Sequence, residues 1–94
     1  MVIHKKIYME FFGYTEADTI LCTVCGRVAV DIHHIHPKKM GGHKTFEFNG
    51  KTYEIESIKN YIALDRECHD AAHADKLSKG VLWIAQQTKI IRHG

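Results

Sequence analysis

The stretch Asn60–His73, "NYIALDRECHDAAH", changes character part-way along. Asn60 opens a short apolar run, Tyr61 to Leu64, whose length and residue types suit a strand. The residues after it, Asp65 to Ala74, read as a helix. On that helix His69 and His73 are four apart, so their imidazoles project from one face about one turn from each other. Two nitrogens so placed can reach one ion at the ~2.0–2.1 Å typical of zinc and imidazole. A third neutral ligand from a neighbouring strand would complete an open site with room for water or substrate.

A source for that ligand lies upstream in Val30–Pro37, "VDIHHIHP", which packs three histidines beside the chain's only proline. The segment falls within Arg27 to Ile35, whose β-branched residues read as a strand. Adjacent side chains on a strand point to opposite faces. Either His33 or His34 can therefore join the ion while its neighbour stays unligated. Such a pair divides metal binding from proton transfer.

The three cysteines extend the pattern. Cys22 and Cys25 form a C-x-x-C, "CTVCG", and Cys68 immediately precedes His69. An odd count does not suit a closed disulfide framework. A redox motif would want a helix after it, whereas Gly26-Arg27 turns into Val28-Ala29-Val30, as in a zinc knuckle. Consecutive helical residues diverge by ~100°. Cys68 can thus face the knuckle while His69 faces the other way, and one helix serves two ions. A structural zinc takes four ligands. Asp65, three residues before Cys68, is the spare candidate, with His36 and His43 weaker ones.

The flanks are simpler. Ile3, Ile7 and Phe11 recur at helical spacing, with Gly13 able to stop the helix, so an N-terminal helix is expected over about 3–13. Thr15 to Asp18 can cap a short turn. Residues 38–43, "KKMGGH", form a loop, and Asn49-Gly50 between alternating runs is a two-residue hairpin signal. A C-terminal helix follows over about 78–92, with Val81, Ile84, Thr88 and Ile91 as a core-like stripe. Leu82, Trp83 and Ile90 lie off that stripe, which suggests burial between elements or against another protomer. The expected architecture is α+β, a small single domain over residues 1–94 with a motif core at 22–75.

Composition sets the outer limits. A chain of 94 residues buries a modest core and is often helped by a metal or by oligomerisation. The net charge of +2 is far short of an electrostatic DNA clamp. No apolar run approaches the ~18 residues of a membrane span, and "MVIHKK" lacks the apolar core of a signal peptide. A cytoplasmic protein is the simplest reading.

Taken in order, C-x-x-C, H-H-I-x-P with a G-G loop, and N-x-x-x-L-x-x-x-C-H-x-x-x-H resemble the HNH endonucleases, the ββα-metal nucleases, in their zinc-knuckle subgroup. The resemblance runs from Cys22 to His73. It implies a ββα-metal core, with His33, His69 and His73 as ligands of a catalytic divalent metal. It makes His34 the general base and Asn60 the residue that fixes the loop backbone and the base's orientation. Where the family often has a fourth cysteine this chain has Asp65, making the structural zinc set Cys22, Cys25, Cys68 and Asp65. The hairpin at Phe46 to Ile55 matches no part of the motif and would be a DNA-contacting arm or a decoration.

The chemistry agrees with that assignment. Phosphodiester hydrolysis needs an activated water, a Lewis acid on the phosphate and relief of charge on the leaving oxygen. A histidine titrates near operating pH, which suits the base. Three neutral ligands leave the cation its full charge, and imidazoles favour Mn, Ni, Co or Zn, with Mg preferring oxygen donors. Lys38, Lys39, Lys44 and Arg66 are candidate phosphate contacts, and such contacts carry no sequence information. Arg27 is another. The expected partner is double-stranded DNA, with a homodimer or accessory phage or mobile-element proteins as further options in a prokaryotic or phage setting. A non-catalytic zinc-stabilised binding module, or a hydrolase of RNA or another phosphoester, are the competing readings. His4 and His93 are expected to be solvated, and His36 to touch DNA or cap its loop. Asp31 would orient a neighbouring histidine or face solvent.

Overall fold

A computed structural model describes residues 3–37 and 44–93. Lys38, Lys39 and His43 lie outside the described residues. In chain order the elements are α1 (Ile3–Phe12), β1 (Asp31–His34), β2 (Thr45–Phe48), β3 (Lys51–Glu54), a 3-10 turn (Ile58–Asn60), β4 (Tyr61–Leu64), α2 (Arg66–His73) and α3 (Lys79–His93). Three helices and two small antiparallel strand pairs make this an α+β unit among the described residues.

β1 pairs antiparallel with β4, with His33 opposite Ile62 and His34 opposite Tyr61. All four residues of β4 are buried, so the strand has a core on each face. Ile62 and Leu64 pack with Cys22, Ile35, Phe46, Ile55, Leu82 and Trp83. Tyr61 and Ala63 pack with Tyr8 and Phe12 of α1 and with Ile32 of β1. Period-2 alternation thereby turns Ile32 towards α1 and leaves His33 facing α2, which packs against both strands.

α1 ends as its glycine implies. Gly13 sits at φ +74°, its N–H donates to the Glu10 carbonyl, and the Tyr14 N–H donates to the Met9 carbonyl at 2.8 Å. At the hairpin, Asn49 and Gly50 have φ +51° and +76°, the pair of positive values a two-residue turn of primed type requires. β2 and β3 flank that turn, with Phe48 opposite Lys51.

Two expectations change, the start of β1 and the Val81 stripe of α3. The strand begins at Asp31, not Arg27, because Val28 and Ala29 turn away from β4: Val28 bridges to Leu21, and the Ala29 N–H donates to the Ile20 carbonyl. β4 covers Tyr61–Leu64 as expected, with Asn60 closing the 3-10 turn ahead of it. The hairpin packs inward, with Phe46, Phe48 and Tyr53 bringing their rings within 4.8–5.9 Å of Trp83. On α3 the Leu82 and Trp83 side is buried as expected, together with Gln86, but the Val81 stripe is not: Val81, Ile84 and Ile91 are 50%, 67% and 77% exposed. Both stripes have helical spacing, and the aromatic hairpin draws the Trp83 side inward.

α3 also holds the turn before β4. The Gln86 side-chain amide donates to the Ile58 carbonyl at 3.0 Å, and that of Gln87 to the Lys59 carbonyl at 2.8 Å. Further along α3, the Lys89 ammonium donates to the Tyr8 and Tyr14 hydroxyls at 2.7 and 3.2 Å. It also lies 4.6 Å from the centre of the Phe12 ring, in cation–π range.

Candidate functional site

His33 on β1 and His69 and His73 on α2 bring one ring nitrogen each to within 4.8 Å of one another. The His69 and His73 Nε2 atoms are 3.3 Å apart. Two donors each ~2.0–2.1 Å from one ion at a tetrahedral angle stand about 3.3 Å apart, so this spacing fits a shared cation. Burial lowers the pKa of His33 to about 4, and the neighbouring His69 and His73 charges add to the shift against a smaller opposing effect of Asp31. The ring is therefore neutral at physiological pH, the form that ligates metals. Asp31 faces solvent, and its carboxylate oxygen lies 3.6 Å from His69 Nε2.

His34, one residue on, has different neighbours. Its Nε2 is 2.5 Å from Glu56 Oε1, and its ring lies 4.8 Å from His4 of α1 and 5.3 Å, edge-on, from Tyr61. The Tyr61 hydroxyl donates to the same Glu56 oxygen at 3.2 Å. Burial, with the Glu56 charge beside it, pushes the Tyr61 phenol well above its usual range, so it stays a donor. His4 is thus packed rather than solvated. His93 is exposed, as expected, with its ring 5.2 Å from that of Phe12.

Asn60 is fully buried. Its side-chain oxygen accepts from the His36 N–H at 2.8 Å, and its amide donates to the carbonyls of His36 and Ile55 at 3.0 and 2.9 Å. Its own carbonyl accepts from the Ile35 N–H at 2.8 Å. One side chain thereby ties the segment after β1 to the segment before Glu56. His36 stacks on Phe46 at 4.2 Å with the rings 17° apart, which makes it part of the aromatic core.

The second cluster is Cys22, Cys25, Asp65 and Cys68, again with ligand atoms within 4.8 Å of one another. The knuckle closes through Cys22 N–H to the Arg27 carbonyl at 2.6 Å and Gly26 N–H to the Cys22 carbonyl at 3.0 Å. Thr23 N–H to the Ala63 carbonyl fastens it to β4. Asp65 caps α2 by accepting from the Cys68 N–H at 3.0 Å. The Cys68 thiol, as a donor, outweighs burial and holds the Asp65 carboxyl at about 2. Burial pushes the Cys68 thiol up, and acceptance by Asp65 adds to it. Burial also opposes ionisation of Cys22, but backbone N–H donors at Cys25, Asp65 and Val24 prevail and its pKa is lowered. Three sulfurs and a carboxylate are a set that can hold an ion such as zinc. Four anionic donors on a dication leave the site anionic, and Arg27, 3.3 Å from Asp65 and paired also with Glu67, is its counter-charge.

Of the other expected contacts, Lys44 is exposed. Arg66 is exposed and lies 3.7 Å from Asp70 on its own helix. No helix among the described residues is long and apolar enough to cross a membrane. Glu56, Tyr61 and His4 were not visible as site residues in the sequence, since each reaches His34 from another element and no local spacing marks them. Compared with known proteins, the chain matches no family model, no curated protein and no solved structure.

Proposed function

We propose that this chain is a metal-dependent DNA endonuclease of the HNH kind, with a ββα-metal core. The observation that carries the reading is the convergence of His33, His69 and His73 from a strand and the following helix, with His34 beside them and outside the cluster. In this reading the three imidazoles hold a divalent cation, Mn, Mg, Ni, Co or Zn. When bound, that ion supplies Lewis-acid stabilisation of the phosphate and of the departing 3′ oxygen. His34 removes a proton from water, and the resulting hydroxide attacks phosphorus as the bond to the leaving oxygen breaks. The leaving oxygen takes its proton from solvent. Asn60 holds the loop that carries the base. Lys38, Lys39, Lys44 and Arg66 would grip the phosphates of double-stranded DNA with little sequence preference, and Cys22, Cys25, Cys68 and Asp65 would hold a structural zinc. A cytoplasmic setting in a prokaryote or phage fits the reduced thiols, and a homodimer or an accessory protein would supply any specificity.

The test is incubation of purified protein with supercoiled plasmid and Mn²⁺ or Mg²⁺. Nicks or cuts are expected, and His34→Ala should lower the rate by roughly 10²–10⁴-fold while the metal stays bound. Undiminished cleavage by that variant would remove the assigned base. A zinc-stabilised binding module without catalysis is the second reading, favoured by the completeness of the Cys22, Cys25, Asp65 and Cys68 set on its own. It expects DNA binding without cleavage.

A further inference from the structure

We propose that Glu56 is a positioning residue that fixes His34 in the tautomer protonated on Nε2, which leaves Nδ1 as the atom that takes the proton from water. The inference rests on the nuclease reading for its consequence, though not for its geometry. A carboxylate oxygen only accepts, so the 2.5 Å contact between Glu56 Oε1 and His34 Nε2 requires the hydrogen on Nε2. The contact is short and charge-assisted, and both side chains are partly shielded from water.

Glu56 is held in its turn. The wholly buried Tyr61 donates its hydroxyl to the same oxygen at 3.2 Å. The preceding residue, Ile55, is buried and pinned at both backbone ends. Its N–H donates to the Lys44 carbonyl at 2.9 Å, and its carbonyl accepts from the Asn60 amide at 2.9 Å. Asn60 therefore reaches His34 by two routes, through the loop at His36 and through Ile55 to Glu56. His4 on one side and the Tyr61 edge on another confine the ring. A second imidazole nitrogen left free by a carboxylate partner is the arrangement that orients a histidine base in other hydrolytic sites.

The experiment compares full-length wild type with Glu56→Ala and Glu56→Gln. Long-range ¹H–¹⁵N correlation of the His34 ring, at about pH 8 and above the ~6.5 of an unperturbed imidazole, reads the tautomer directly. Wild type should show the Nε2–H form, and Glu56→Ala should lose that preference. Glu56→Gln, which keeps an acceptor oxygen at the same reach, should recover part of it. With plasmid and Mn²⁺, Glu56→Ala should lower kcat by roughly 10–100-fold with KM and metal affinity unchanged. An unaltered His34 tautomer in Glu56→Ala, or full kcat in that variant, would overturn the proposal. A Glu56 that merely stabilises the fold would move the melting temperature without moving the tautomer, which also overturns it. If wild type cleaves nothing, the nuclease reading fails while the tautomer comparison still decides whether Glu56 sets the ring.

Discussion

At His33 burial and the proposed metal binding act on the same nitrogen. Its folded pKa of about 4 lies below the ordinary histidine value of 6.5, so the unfolded chain binds a proton that the folded chain refuses. In the metal-free protein, His33 therefore has no effect on stability above about pH 6.5. As pH falls from there towards 4, stability is lost, and below that window the penalty stays constant. Urea unfolding of the metal-free protein at several pH values should show a decline across the window, smaller in His33→Gln. On the folded chain, protonation of His33 competes with an ion at the triad only as pH approaches 4, so metal affinity should weaken there. The triad was legible in the sequence because its cues are local: His69 and His73 share a helix face, and the His33-His34 pair sits on a strand. The side of β1 each histidine takes is a tertiary fact. So is the Glu56 contact, whose partners lie on separate segments with nothing between them to mark it.

Among the elements, α3 shows where periodicity alone misleads. Its two apolar stripes have the same spacing, and only the aromatic hairpin decides which one turns inward. Leu82→Ala removes a side chain that is 1% exposed and should destabilise the protein by about 2–5 kcal/mol. Ile84→Ala, on the opposite face, should change stability by no more than about 0.5 kcal/mol. Chemical denaturation of the two variants side by side checks the assignment, and equal losses would restore the stripe read from sequence. α2 is the contrasting element, with no buried residue of its own. Its ends are set by the Asp65 cap and by the side chains it lends to the two clusters. That explains why its boundaries were readable from the motif to within a residue, whereas the start of β1 was not: Val28 and Val30 have strand-forming side chains but 61% and 64% of their surface in water.

For the whole molecule, a core built on both faces of one four-residue strand is small, and the knuckle is what fastens residues 22–27 to it. Metal at Cys22, Cys25, Cys68 and Asp65 should accordingly add folding free energy. Free zinc at a thousand times its dissociation constant would contribute about 4 kcal/mol. Chelation should lower the melting temperature, zinc should restore it, and Cys22→Ser should bind one ion fewer per chain. A melting curve indifferent to chelator would contradict a structural ion. The α+β class, the hairpin at Asn49-Gly50 and the order of the helices were all legible from patterning. The packing of the hairpin onto Trp83 was not, because a ring stack between distant segments leaves no periodic trace.

The clasp of Lys89 on Tyr8, Phe12 and Tyr14 joins the first helix to the last. Since that first helix also lends His4 to the ring of His34, the far end of the polypeptide braces one wall of the proposed base. Loss of the Lys89 clasp would then register as a misplaced ring at His34, 55 positions upstream, before any global melting announced it.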